Sequence, residues 1–291
     1  MENTAISIRH LEKSFRKFKL GPLNMTVPKG AIYGLIGPNG AGKTTTIDLI
    51  MGMGAKDAGS IEVLGMDHIR DEVAVKKQVG YASPDLLFNA WGKVKRLIGF
   101  VRAFYEDWDD AYCMQLLERL NIGWNDSIAT LSFGARTKLG LVVALSHHPA
   151  VLLLDEPLAG LDAVSKQEVF AELLAAVQDE ERTVLISSHD LHDLERFTDH
   201  IGILHRGKML LEGPTSTLIE SYKTIVCSSI EPVEPQKIPN VYVQKRNGEC
   251  WRLLVGTSGD TIARLETLGM RDLQISPLTL EDLFVGLVKE N

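Results

Sequence analysis

The apolar run Ala31-Ile32-Tyr33-Gly34-Leu35-Ile36 has strand character and leads directly into Gly37-Pro38-Asn39-Gly40-Ala41-Gly42-Lys43-Thr44. Thr45-Thr46-Ile47-Asp48-Leu49-Ile50-Met51 follows, with helical character. A strand, a glycine loop closed by Lys-Thr and a helix form the setting that the G-x-x-x-x-G-K-[ST] pattern needs. The glycines let the backbone curl until successive N–H groups point inward at phosphates, and the helix start turns its positive end toward the same charge. Gly37, Pro38, Asn39, Gly40, Ala41, Gly42, Lys43, Thr44 and Thr45 are therefore the candidate phosphate cradle. Lys43 is placed to reach the β- and γ-phosphates of a nucleotide, and the Thr44 hydroxyl to coordinate Mg²⁺.

The rest of the chain fits an α/β core with an interruption. Short β signals in Ala5 to Ile8, Leu23 to Val27 and Ile61 to Leu64 are separated by Gly and Pro turns. From about Pro84 to His148 the periodicity turns helical, with Leu97, Val101 and Phe104 spaced for one helix face and Met114, Leu117 and Leu120 for another. Strand signals return in Val151 to Leu154, Thr183 to Ile186 and Ile201 to Leu204. Near Tyr222 the composition shifts, and Glu231-Pro232-Val233-Glu234-Pro235 marks a boundary. Beyond it the residues read as a small α+β appendage, with helices expected near Asp260 to Leu268 and Leu280 to Leu287.

Composition removes several classes. A net charge of −7 argues against a general nucleic-acid binder, which needs a basic face. Cys113, Cys227 and Cys250 are odd in number and lack C-x-x-C spacing, which fits reduced, buried thiols and no zinc site. No apolar stretch approaches the ~20 residues of a membrane span, and the first residues do not read as a targeting signal. Action on a membrane then requires another chain.

Val151-Leu152-Leu153-Leu154-Asp155-Glu156 reads as a central parallel strand ending in two acids. Its carboxyl end opens at the same sheet edge as the glycine loop, where open α/β sheets bind ligands. There Asp155 would hold Mg²⁺ through water and Glu156 would polarise an attacking water; the plainer alternative is a pair of acids ending a strand. Leu131-Ser132-Phe133-Gly134-Ala135-Arg136, before another apolar helix candidate, offers a serine and backbone N–H groups as a second anion-binding arrangement.

Taken together, these residues resemble the nucleotide-binding subunits of ATP-binding cassette (ABC) transporters over nearly all of residues 1 to 220. Gly37 to Thr44 resembles the family's Walker A and Leu152 to Glu156 its Walker B with the catalytic glutamate. Leu131 to Ala135 stands at the LSGGQ signature, Ala159-Gly160-Leu161-Asp162 at the D-loop, and Ser187-Ser188-His189 at the switch histidine. The resemblance implies a P-loop ABC-type nucleotide-binding fold, with an antiparallel β subdomain, a helical insertion over about 86–147, and a C-terminal α+β appendage. The corresponding division is an ATPase domain over 1–221 and a small domain over 222–291. It also implies ATP and Mg²⁺ as cofactors and a head-to-tail pair of nucleotide-binding subunits, homodimeric or heterodimeric. Ser132 and Gly134 would contact the ATP bound across that interface, and Asp162 would link the two sites. Glu156 would activate water, His189 would stabilise the γ-phosphate region, and Phe15 stands where the family stacks an aromatic on adenine. Taken alone, His189 is an ordinary hydrogen-bonding strand end, and Phe15 fits a core as well as a base.

Two departures matter. The family's glutamine after the strand Val79-Gly80-Tyr81-Ala82 is missing; Ser83-Pro84-Asp85 stands there, so Asp85 is a candidate Mg²⁺ or water ligand, with a simple turn aspartate as the alternative. In the signature, Phe133 replaces the first glycine and Ala135 the glutamine. The resulting expectation is the ATP-hydrolysing subunit of a bacterial-type ABC exporter, cytoplasmic and peripheral on the inner face of the cell membrane through a separate transmembrane permease subunit. A soluble or regulatory ABC-type ATPase, acting as an ATP-gated switch, is the competing reading.

Overall fold

The computed structural model describes residues 3–84, 86, 88–180, 182–195, 197–229, 233–257, 260–276 and 278–289. The first third builds two sheets around the glycine loop. It runs through β1 (Thr4–Ser14), β2 (Lys19–Pro28), β3 (Ile32–Ile36), α1 (Lys43–Ile50), β4 (Ala58–Val63), β5 (Met66–Asp67), α2 (Glu72–Lys77) and β6 (Val79–Ala82). The helical stretch follows as α3 (Val94–Arg102), α4 (Asp110–Arg119) and α5 (Phe133–Leu145). The chain then returns to the sheet through β7 (Val151–Asp155), α6 (Ala163–Glu180), β8 (Thr183–Ser188), α7 (Leu191–Glu195), β9 (His200–His205), β10 (Lys208–Pro214) and α8 (Thr215–Glu220). Its last part comprises β11 (Tyr222–Ser228), β12 (Val241–Asn247), β13 (Cys250–Gly256), α9 (Thr261–Thr267), β14 (Arg271–Ser276) and α10 (Leu280–Lys289).

The central sheet has the order β10-β9-β3-β8-β7-β6. All its neighbours pair in parallel except the edge pair β9–β10. Every residue of β3, β7 and β8 is buried, as expected for parallel strands covered on both faces. Alternate side chains feed different cores: Tyr33, Leu35, Leu153 and Leu185 join the antiparallel sheet β2-β1-β4-β5, while Ile36, Leu152, Leu154 and Ile186 join the helices. The register sets Ile36 beside Ser188 and Asp155 beside Ser187, so three strand ends open at one edge.

The helical face differs from the expected spacing. In α4 the buried stripe is Cys113, Leu116, Leu117 and the following Leu120, whereas Met114 stands one step round and is 47% exposed. α3 stops at Arg102, leaving Phe104 62% exposed against the edge of Phe100. Cys113 and Cys227 are buried as expected, but Cys250 is exposed, because it starts β13 beside a turn. β10 and β11 carry no clear sequence signal; β10 is an edge strand with no fully buried residue.

β12, β13, β11 and β14 form a third, wholly antiparallel sheet. One face packs with Leu265 of α9 around Trp251 and Leu253. From the opposite face Leu254 joins Leu280, Leu283 and Leu287 of α10 in the same cluster as Leu191 and Leu194 of α7. α10 lies close enough to β13 that a Cβ on Gly286 would stand 2.5 Å from a Leu254 methyl. Among the described residues, no helix is long and apolar enough to cross a membrane.

Candidate nucleotide site

The loop between β3 and α1 turns on Gly42, whose φ of 111° lies in the left-handed region. A Cβ there would meet Leu20 and Phe18 side chains at 2.9 and 3.0 Å, so glycine is required both by conformation and by space. Lys43 opens α1, 5% exposed. Its Nζ donates to the Gly37 carbonyl at 2.7 Å and lies 3.0 Å from Glu156 Oε1. Glu156 in turn accepts from His189 Nδ1, at 2.8 Å through Oε2. Lys43 at the start of α1, and Glu156 and His189 just past the ends of β7 and β8, are thus joined by one ion pair and one hydrogen bond.

They face a cavity of about 510 Å³ lined by Asn39 to Thr45, Glu156, Ala159 and His189, with Lys17 and Phe18 closing one side. Phosphate-cradling backbone, a lysine and a carboxylate able to accept a water proton are the groups that phosphoryl transfer to water requires. Asp155 is 3% exposed and accepts from Ser187 Oγ at 2.5 Å through Oδ1. Its Oδ2 takes no hydrogen bond among the described residues. A hard carboxylate oxygen left open suits Mg²⁺, which takes few protein ligands and completes its shell with water and phosphate. No cluster of three or more His, Cys, Asp or Glu that could hold a metal occurs among the described residues.

Other expected site residues lie elsewhere. Ser132 caps α5, accepting from Ala135 N at 3.1 Å, and Phe133 behind it is 45% exposed. Gly134 packs on the D-loop stretch: a Cβ there would stand 3.2 Å from Leu161. Asp162 caps α6 by accepting from Ser165 N at 2.9 Å and from its hydroxyl at 3.1 Å. Those hydrogen bonds, the backbone one foremost, hold its carboxyl below the usual aspartate range. Ser132, Gly134 and Asp162 do not line the cavity. Phe15 is 51% exposed, its ring 6.2 Å from Phe18 and under the Lys13 ammonium at 5.6 Å. It is Phe18, not Phe15, that lines the cavity. Asp85 lies outside the described residues.

Sequence reasoning gave no role to Lys17, Phe18 or Ser187. The first two sit on the β1–β2 turn, brought to the loop only by the fold. Ser187 did leave a trace, a hydroxyl one residue before the end of the all-buried run Thr183 to Ser188.

Comparison with known proteins gives the same picture. The family described as ABC transporter matches residues 20–159. A Nod factor export ATP-binding protein I of Burkholderia lata is 33% identical over 301 residues, covering 97% of this chain and 96% of its own. A lantibiotic transport ATP-binding protein of Streptococcus pyogenes, SrtF, is 33% identical over 214 residues, covering 71% and 90%. Among solved structures, an ATP binding subunit of an ABC transporter superposes with a TM-score of 0.68 at 23% identity, covering 75% of this chain and 92% of its own, which supports the fold. With the glycine loop, the paired acids and the histidine meeting at one sheet edge, and relatives aligned across almost its whole length, the chain belongs to the ATP-binding, ATP-hydrolysing subunits of ABC transporters.

Proposed function

We propose that this ATPase drives export through a separate transmembrane permease, from the cytoplasmic face of the cell membrane, as one of two cassettes packed head to tail. Residues 1–221 are the ATPase domain, with 86–147 as its inserted helical part, and 222–291 form a small C-terminal domain. Export is carried over from the relatives, one of which is named for export of Nod factor and matches 96% of its length.

The observation that carries the reading is the split of the machinery. Lys43, Glu156 and His189 share a cavity, while Ser132 and Gly134 do not line it. A second copy offering its Ser132 hydroxyl and helix start completes the phosphate site. In that site the cradle of Gly37 to Thr45 and Lys43 hold the phosphates, and Phe15 stacks on the adenine. Glu156 takes the proton of the attacking water, His189 stabilises the γ-phosphate region, and Asp162 connects the two sites. Thr44 and Asp155, with Asp85 in place of the absent glutamine, would hold Mg²⁺, which would neutralise phosphate charge when bound.

Affinity purification of the tagged chain from gently solubilised host membranes tests the partner. A polytopic chain in stoichiometric amount supports the exporter, whereas recovery of the chain with soluble proteins alone favours the regulatory ATPase. Mg-ATP turnover that disappears in Glu156→Gln assigns the base.

A further inference from the structure

Ser187 is fully buried at the end of β8, directly beside Asp155 of β7 in the parallel register. Its one hydroxyl engages both members of the acid pair. The Oγ donates to Asp155 Oδ1 at 2.5 Å and accepts the backbone N–H of Glu156 at 2.9 Å. Glu156 needs such a tether: its φ is 47°, a left-handed conformation that a non-glycine residue holds only under strain. That turn aims the Glu156 carboxylate back at Lys43 and His189. With its proton committed to Oδ1, Ser187 also fixes the Asp155 carboxylate plane, leaving Oδ2 as the oxygen available to a cation.

We propose that Ser187 is a positioning residue for hydrolysis, setting through one hydroxyl the Asp155 carboxylate toward Mg²⁺ and the strained Glu156 backbone toward the attacking water. It acts through these two residues and touches neither phosphate nor water itself. Hydroxyl groups that orient a metal-bearing carboxylate commonly matter about ten- to a hundredfold when removed. A buried serine that merely satisfies its own hydrogen bonds would affect stability alone.

The two roles separate in the full-length protein carrying Ser187→Ala, Ser187→Thr or Ser187→Cys. The readouts are kcat and KM for ATP, thermal melting, and binding of fluorescent ADP as Mg²⁺ is titrated. For Ser187→Ala we expect kcat to fall about ten- to a hundredfold with KM for ATP little changed. The Mg²⁺ concentration that half-saturates the ADP complex should rise severalfold, while ADP binding in excess chelator stays as in the wild type. Ser187→Thr, which keeps the hydroxyl, should restore both; Ser187→Cys, near in size but a weak hydrogen bonder, should fail like alanine and serves if the alanine variant does not fold. A lowered melting temperature with kcat and Mg²⁺ dependence unchanged would overturn the proposal, as would equal losses in the threonine and alanine variants. The inference rests on the hydrolytic reading of the same site. If the wild type itself showed no turnover that reading would fail, yet the Mg²⁺-linked ADP binding would still decide Ser187.

Discussion

The ion pair between Lys43 and Glu156 makes nucleotide binding a competition inside the protein. The two charged atoms lie 3.0 Å apart, with side chains 5% and 19% exposed, and Lys43 Nζ also donates to the Gly37 carbonyl. A phosphate arriving at Lys43 must draw the ammonium away from a carboxylate that already holds it. A hydrogen bond to a charged group nets about 1.5–3 kcal/mol, against about 1 kcal/mol for a neutral one. Replacing Glu156 by glutamine keeps a neutral acceptor at the same distance and so removes about 0.5–2 kcal/mol of competition. At about 1.4 kcal/mol per tenfold, ADP should bind Glu156→Gln roughly two- to thirtyfold more tightly than the wild type. ADP is the right probe because it has no γ-phosphate to hydrolyse, so the role of Glu156 as a base does not enter. Titration calorimetry at fixed salt measures the difference. Asp162→Asn, which also removes one negative charge but at the α6 cap, should leave ADP affinity unchanged. Equal or weaker ADP binding by Glu156→Gln refutes the competition, and an equal gain in Asp162→Asn reduces it to net charge.

Two further outcomes concern stability. Burial, chiefly, holds the His147 imidazole down at about 4 from an ordinary 6.5, so the folded chain refuses a proton that the unfolded chain accepts. The folded state therefore keeps this contribution in full above pH 6.5 and loses it as pH falls toward 4, by about 1.4 kcal/mol per unit. Urea unfolding at several pH values should show a shallower dependence in His147→Gln over that window, and parallel curves would contradict it. At Gly80 in β6, a Cβ would stand 2.2 Å from the Ala144 carbonyl oxygen and 3.0 Å from Pro149 Cγ. Backbone cannot yield cheaply there, so Gly80→Ala should lose about 2–3 kcal/mol; an unchanged urea midpoint would show that α5 is free to shift.

The elements whose patterns are local were the readable ones. β3, β7 and β8 are continuous apolar runs because both faces are covered, and Lys43, Glu156 and His189 follow them in the chain, so order along the chain was enough to find the three. What the sequence cannot display is which ends become neighbours. The order β9-β3-β8-β7 brings Ser187 against Asp155 across 32 residues of chain, and only the register makes its hydroxyl meaningful. The same holds for Phe18, which reaches the cavity because the β1–β2 turn folds over the glycine loop. Met114 and Phe104 failed for a more local reason. Apolar spacing fixes a helix face only to within one residue, and tertiary packing chose Cys113 and ended α3 at Arg102.

The position of α10 bears on how the chain comes into being. Its leucines join the large helical core, which also takes in Leu191 and Leu194 just after His189 and Leu254 of the third sheet. As the chain leaves the ribosome, the glycine loop, the acid pair and His189 emerge well before the residues that cover α7. The ATPase body must wait with that apolar surface open until α10 has been made. Completion of the fold around His189 is thus tied to synthesis of α10, and a chain interrupted before Leu280 carries Lys43, Glu156 and His189 without the leucines that α10 packs against α7.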